Sequence, residues 1–289
     1  FKQVESLANL VQNALLFLNG AIVPVDRLPP AVQAFSMSLP STLGIIALRL
    51  DADHKVVETQ HFSTVANGTS IRFYKNALYA TSPTTVYRFD FKGHELVPSS
   101  PAQVVIDGLP SKGYPSRGMA FDGKGGLYIE AGATGNICPD PAAPKGGKPV
   151  GLRPCPSLNG RSGVWRFDAS KLDQKFPEGG EQIATGIRDM MAVDWSHRLN
   201  GLYGVMQGRN DRNDIVAEEL HRIDKGANLG WPYTYYDMSM KARLTAPEYG
   251  GDGKTPTLDG VIISDNLFED APVEEPGGEQ QGSAAILIN

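Results

Sequence analysis

Four polar stretches hold the side chains with which this chain could do chemistry. Gly113-Tyr114-Pro115-Ser116-Arg117-Gly118 and Thr185-Gly186-Ile187-Arg188-Asp189-Met190 each place an arginine just ahead of an apolar run. A guanidinium is a planar fork of donors suited to a carboxylate or a carbonyl-rich ligand, and it serves as readily in a surface ion pair. Gln207-Gly208-Arg209-Asn210-Asp211, followed by Ala217-Glu218-Glu219-Leu220, gathers acids and loop carbonyls. These are the hard oxygen donors that Ca2+ takes, and equally the makings of a solvated acidic loop. Asn228-Leu229-Gly230-Trp231-Pro232-Tyr233-Thr234-Tyr235-Tyr236-Asp237 reads as a rigid aromatic loop, for carbohydrate stacking or for packing on a strand edge. No GxSxG, no HExxH, no phosphate loop and no GxGxxG between strand and helix occurs. His54, His61, His94, His197 and His221 read as surface or structural residues.

The elements that must position these loops follow from composition and repetition. In 289 residues, 32 Gly and 21 Pro favour many short strands and turns over long helices. A net charge of −5 without a dense Lys/Arg cluster argues against a nucleic-acid partner. No apolar run reaches the length of a membrane-spanning helix. Cys138 and Cys155 flank a loop rich in Pro, Gly and Lys, and read either as a disulfide in an oxidising compartment or as two unrelated thiols. Asn67-Gly68-Thr69 is a glycosylation sequon and fits a secreted protein. The chain opens at Phe1 without a leader, as expected if a leader has been removed or the sequence is incomplete.

A strand, a Gly/Asn/Asp turn and a second strand recur at 15–23, 71–80, 119–129 and 191–205. Asn, Asp and Gly tolerate the positive φ that such turns need. Each hairpin is followed by a strand closing on Arg-x-Asp, at Arg49-Leu50-Asp51, Arg88-Phe89-Asp90, Arg166-Phe167-Asp168 and Arg222-Ile223-Asp224. Alternation puts the apolar member on one face, and Asp starts a turn. A four-stranded unit recurring about every 40–50 residues predicts a β-propeller, with four blades visible in the sequence. Residues 4–18 also have helical spacing, 138–155 form an insertion, and the part after 255 is irregular. One domain over 1–289 is expected, closed by strands such as 260–265 and 283–288 or continuing in a longer protein.

Gly226-Ala227-Asn228-Leu229-Gly230-Trp231-Pro232-Tyr233, preceded by Glu218-Glu219-Leu220, resembles the G-x-N-(Y/F)-G-W-P segment of the glucose/sorbosone dehydrogenase family. Ala120–Tyr128, Gly186-Ile187-Arg188 and 246–253 are similar to further segments of that family. The Cys138 to Cys155 excursion, followed by Gly163-Val164-Trp165-Arg166-Phe167-Asp168, is similar to the Cys-flanked loop of its sorbosone dehydrogenase branch. The resemblance implies a six-bladed propeller that binds pyrroloquinoline quinone (PQQ) and Ca2+ and oxidises sugars. It puts Tyr114 at the position of the family's basic His, with Arg117 following it. Arg188 matches a PQQ-contacting arginine, Asp189 stands where the family has Asn, and Arg209 and Trp231 complete the implied cofactor contacts. The backbone carbonyls of Ile215 and Val216 fall where the family's Ca2+ contacts are expected. The function implied is a secreted PQQ-dependent dehydrogenase acting on a sugar, aldose or small polyol, with no protein partner indicated. The alternative is a catalytically inactive propeller of the same descent, serving as a carbohydrate-binding or extracellular assembly module. A calcium-dependent lactonase-type hydrolase is a third reading, and needs a cage of Asn, Asp and Glu.

Overall fold

Where Asn, Asp and Gly punctuate the apolar runs, the chain turns back on itself, and the result is a series of antiparallel sheets. A computed structural model describes residues 44–53, 55–92, 95–212 and 215–256. The sequence readings at 4–18, 15–23, 260–265 and 283–288 lie outside the described residues.

β1 (Ile45–Leu50) and β2 (Val56–Ser63) form an antiparallel hairpin. Its turn is held by Asp51, whose Oδ1 accepts the N–H groups of Asp53 and Lys55, both at 2.9 Å. The next blade is β3 (Ile71–Tyr74), β4 (Ala77–Thr81), β5 (Thr85–Asp90) and β6 (Gln103–Asp107), paired in that order. The third unit repeats the plan with β7 (Met119–Phe121), β8 (Gly126–Ala131), β9 (Gly163–Asp168) and, after the short β10 (Gln174–Lys175), β11 (Glu181–Thr185). A three-stranded sheet of β12 (Met190–Ser196), β13 (Gly201–Met206) and β14 (Glu219–Ile223) follows. Beyond β15 (Ala227–Asn228), β16 (Thr234–Asp237) and β17 (Ala242–Thr245) pair as a hairpin. The described part of the chain is all-β, built as the blades of a β-propeller.

The turns form for the expected reason. Asp122 Oδ1 accepts the N–H groups of Lys124 and Gly126 at 2.7 and 2.8 Å, closing the β7–β8 turn as an Asx motif. Lys75 and Asn200 take positive φ in the β3–β4 and β12–β13 turns. In the Arg-x-Asp endings Phe89, Phe167 and Ile223 are buried, as alternation requires. Their flanking charges meet outside: Arg88 pairs with Asp90 at 2.6 Å and Arg222 with Asp224 at 3.1 Å. Arg49 and Arg166 reach Glu58 and Asp122 instead.

Blades stack through apolar faces. Val86, Ile106, Ile129, Trp165, Phe167 and Phe176 share one core cluster between the second and third blades, and Tyr74 stacks on Phe121 at 4.4 Å. Ala120, Val164, Ile187, Met190, Leu202 and Leu229 share the next. The sequence did not foretell the outer edges. β10 runs parallel to β6, and β15 runs parallel to β11, so each blade's open edge is latched by chain from the following unit.

Phe167 sits inside the core between two blades at 2 % exposure. Phe167→Ala is expected to lower unfolding free energy by about 3–5 kcal/mol in urea titration, with the slope unchanged. A loss below about 1 kcal/mol would mean that the two blades are not joined through this ring.

Candidate functional site

The loops that lead into β7 and β12 meet the loops after β8 and β13 at one end of the blades. Gly113 turns into this region at φ +86°, where a Cβ would stand 2.2 Å from the Ala133 carbonyl oxygen. The Tyr114 N–H donates to Ala133 O at 2.9 Å, and the Ala133 N–H donates to Arg188 O at 2.7 Å. The fully buried Ala133 therefore ties two of the arginine-bearing loops together.

Arg188 is the centre of the site, at 2 % exposure. Its Nη2 donates to Tyr114 Oη at 2.6 Å, its Nε to Asn136 Oδ1 at 2.8 Å and its Nη1 to Gln207 O at 3.4 Å. The guanidinium also lies 4.2 Å from the Tyr114 ring centroid. Asn136 is fixed in turn: its Nδ2 donates to Asn210 Oδ1 at 2.8 Å, and Trp231 Nε1 donates to the carbonyls of Gly135 and Asn136, both at 3.1 Å. The Trp231 loop is seated on the Arg188 loop, since Trp231 N–H donates to Gly186 O at 2.9 Å. Gly186, at φ +73°, has room for no side chain: a Cβ would fall 2.1 Å from Asn228 Oδ1.

Tyr114 stands next to a cation, yet its phenol is pushed above the ordinary range. Burial is the main cause, Arg188 opposes it, and Asp189 and Asp211 reinforce it. Tyr114 therefore keeps its proton at neutral pH and donates it to Asn136 Oδ1 at 3.3 Å. Asp189, 3 % exposed, is also raised by burial, against a Ser116 hydrogen bond and the charges of Arg188 and Arg117. Glu218 is pushed up to about 7 by burial, against the Gly208 N–H and Arg188. Asp189 Oδ1 and Glu218 Oε1 are buried without hydrogen-bond partners. Glu218 and Glu219 of the acidic loop are thus drawn into the protein, whereas Asp211 stays exposed as the solvated-loop reading expects.

The remaining expected residues are placed elsewhere or are already committed. Arg117 is fully buried, with Nε and Nη2 donating to Pro83 O at 3.1 and 2.9 Å and Nη1 to Ser116 O at 2.9 Å. Its Nη1 lies 3.7 Å from Glu130 Oε2. Burial, then Asp189, drives the Glu130 carboxyl upward, and Arg117 opposes them. Arg209 is clamped by two carboxylates, Asp211 at 3.0 and 2.8 Å and Glu248 at 2.8 and 2.9 Å. Burial works against its charge, and those hydrogen bonds outweigh it. Trp231 is 3 % exposed and supports Asn136, so its face offers no open stacking platform. The Ile215 carbonyl accepts the Met238 N–H at 2.7 Å, and Val216 packs with Tyr235 and Leu244. Among the described residues no group of three His, Cys, Asp or Glu gathers as a ligand set.

Cys138 and Cys155 form a disulfide. The loop it closes lies on the aromatic segment: Cys155 N–H donates to Tyr233 Oη at 2.8 Å, and Tyr249 Oη donates to Cys138 O at 3.2 Å. Arg153 stands 4.8 Å from the Tyr233 ring and 5.8 Å from the Tyr249 ring. Asn67 is exposed in the turn before β3, and His221 is fully buried in β14. Sequence reasoning missed Asn136 and Glu130, and singled out Gln207 only as part of the acidic loop, not as a carbonyl acceptor for Arg188. The one available signal for Asn136 was its place two residues before Cys138, at the mouth end of the insertion.

The blades and this cluster define a class, a β-propeller whose loops converge on a buried arginine at one end. A family model described as TrAA12-like matches residues 38–225, and the chain belongs to that family. Among solved structures it is similar to the Trichoderma reesei carbohydrate-active enzyme of family AA12. The calcium structure of that enzyme gives TM-score 0.58 at 17 % identity, and the iodide structure 0.58 at 19 %. Each covers 81 % of this chain and 62 % of the other. The holo PQQ domain of pyranose dehydrogenase from Coprinopsis cinerea gives 0.55 at 15 % identity, over 75 % of this chain and 53 % of that one. The chain therefore spans less than two thirds of the length of each, and the likeness is one of fold. No curated protein matches it in sequence.

Trp231→Phe keeps the packing and removes the two bonds to the carbonyls of Gly135 and Asn136. It is expected to cost about 1–3 kcal/mol in urea unfolding, and a cost within error of zero would show that the indole N–H holds nothing in place. Glu218 gives a pH-dependent outcome. Its folded pKa lies above the unfolded one, so the native state loses stability as pH rises from the ordinary carboxyl range through about 7. Glu218→Gln removes that loss. Its thermal midpoint should exceed the parent's by about 3–6 °C at pH 8 and match it near pH 4, whereas parallel pH curves would refute the burial of this carboxyl.

Proposed function

We propose that this chain is a secreted, PQQ-dependent dehydrogenase-like propeller whose mouth at Arg188 takes an aldose or small polyol. The observation that carries the reading is the buried Arg188, held on Tyr114 and Asn136 where the loops of two blades meet. Arg209 is neutralised by two carboxylates and Arg117 is enclosed, so Arg188 is the cation left to receive an anionic ligand at the mouth.

PQQ is a tricarboxylate, and Arg188 stands among Asp189, Asp211 and Glu218. Like charges there oppose a bare polyanion, whereas the orphaned Asp189 Oδ1 and Glu218 Oε1 favour a divalent cation beside it. The residues therefore fit PQQ and Ca2+ as a joint occupant. Arg188 and the Tyr114 hydroxyl would hold ligand oxygens, and the two orphaned carboxyl oxygens would face the metal. When bound, PQQ supplies the hydride acceptor for the sugar carbon. The disulfide and the exposed Asn67 support passage through an oxidising, glycosylating compartment.

A specific observation also favours the second reading, a binding module without turnover. The position that aligns with a basic His carries a phenol that retains its proton, and a protonated phenol donates a hydrogen bond where the dehydrogenase needs a proton acceptor.

The test is titration of the protein with PQQ in the presence of Ca2+, followed by quinone absorbance, and then dye reduction with a panel of aldoses. Saturable binding is expected, weakened about tenfold or more by Arg188→Ala and by chelating the metal. Absence of quinone binding would remove the cofactor reading. Quinone binding with no dye reduction by any aldose would select the binding module.

A further inference from the structure

At the end of the blades away from Arg188, a cleft of about 600 Å³ opens between the second and third blades. The Arg188 mouth lies where the chain enters β7 and β12. The cleft is bounded by the turns where it leaves β3 and β7 and by the end of β9, so the two sites share no residue.

Lys75, Arg88, Lys124 and Arg166 line the cleft against one carboxylate, Asp168. In a chain of net charge −5 this is a local reversal of sign. Arg88 and Arg166 are partly neutralised by Asp90 and Asp122, at 2.6 and 3.5 Å. Lys75 and Lys124 make no ion pair among the described residues, and Lys75 Nζ stands 5.3 Å from the Tyr74 ring centroid. Asp168 is turned to its own loop, where Oδ1 accepts the Ser170 N–H and hydroxyl at 2.8 and 2.7 Å. Asp168 is therefore already engaged, and the two ammonium groups beside the opening have no ion-pair partner among the described residues.

The wall is shaped for more than a single ion. Tyr79 Oη donates to Ala169 O at 2.8 Å and fixes one side. Tyr74, stacked on Phe121, lines the other side. A volume of this order suits a small organic ligand, with the edges of Tyr74 and Tyr79 for its ring and two ammonium groups for its charge. We propose that this cleft is a second binding site, for a sugar-sized ligand that carries an oxyanion, either a carboxylate or a phosphate ester.

Isothermal titration of the whole chain with glucuronate, glucose 6-phosphate, glucose and inorganic phosphate tests this. At least one of the two charged sugars is expected to bind, and which one identifies the oxyanion. Glucose and inorganic phosphate should bind about tenfold more weakly or worse, since each lacks half of the recognition. Two variants at exposed turn positions, the double Lys75→Glu/Lys124→Glu and the single Asn76→Glu, should each weaken binding about tenfold or more. Their thermal midpoints report that they fold, and Arg188→Ala should retain the binding, which places it away from the mouth. The proposal is overturned if neither charged sugar binds, if glucose or phosphate binds as tightly, or if the folded variants bind like the parent.

Discussion

A guanidinium withdrawn from water needs acceptors for its donors, and Arg188 finds three of them on three different segments. A buried charge that lacks hydrogen-bonding partners costs several kcal/mol, on the order of its desolvation. Arg188 meets that demand with a phenol from the loop before β7, an amide from the loop after β8 and a carbonyl from the loop after β13. None of those acceptors is a carboxylate. The guanidinium is therefore held by neutral groups, and the loops at this end of the blades converge on it.

That convergence is transmitted from the blades by backbone pairing. β15 adds to the edge of β11, and the same run of chain continues its pairing when Leu229 N–H donates to Thr185 O at 3.0 Å and Trp231 N–H to Gly186 O at 2.9 Å. The latch on a sheet edge thus ends in the indole that carries Gly135 and Asn136. The disulfide loop closes the assembly from outside, lying against Tyr233 and Tyr249 and returning the chain to Asn136. Fold and site are one hydrogen-bonded path, running from a strand edge through Trp231 and Asn136 to Arg188.

What the sequence discloses follows from how local each cause is. The turns at Lys75-Asn76 and Asp122–Gly125, and the buried apolar member of three of the four Arg-x-Asp endings (Leu50 is exposed), rest on the conformational habits of a few adjacent residues, so they are legible from the letters alone. The site is less so. Arg188 and Tyr114 stand out through the motifs that contain them, but Asn136 belongs to no pattern and acquires its role from Trp231, 95 residues away. Composition cannot tell a solvated acid from a buried one either, because what encloses Glu218 and Asp189 is the packing of other blades. The edge latches β10 and β15 are two-residue strands, too short to carry any periodic signal.

The arrangement of charge around Arg188 narrows what the mouth accepts. Arg209 and Arg117 have been taken out of use, one by carboxylates and the other by enclosure among carbonyls, while Asp189 and Glu218 keep one oxygen each without a partner. Arg188 and its acids offset one another in charge, and what stays unmet is the hydrogen bonding of the two orphaned oxygens. An anion alone would relieve Arg188 and strain the acids, and a cation alone would do the reverse. Under the proposed function, an occupant that carries both charges, as a metal complex of a polycarboxylate does, would suit the cation and the two orphaned oxygens together. Tyr114 stays a protonated phenol beside that cation, because burial rather than the neighbouring charge sets its proton affinity.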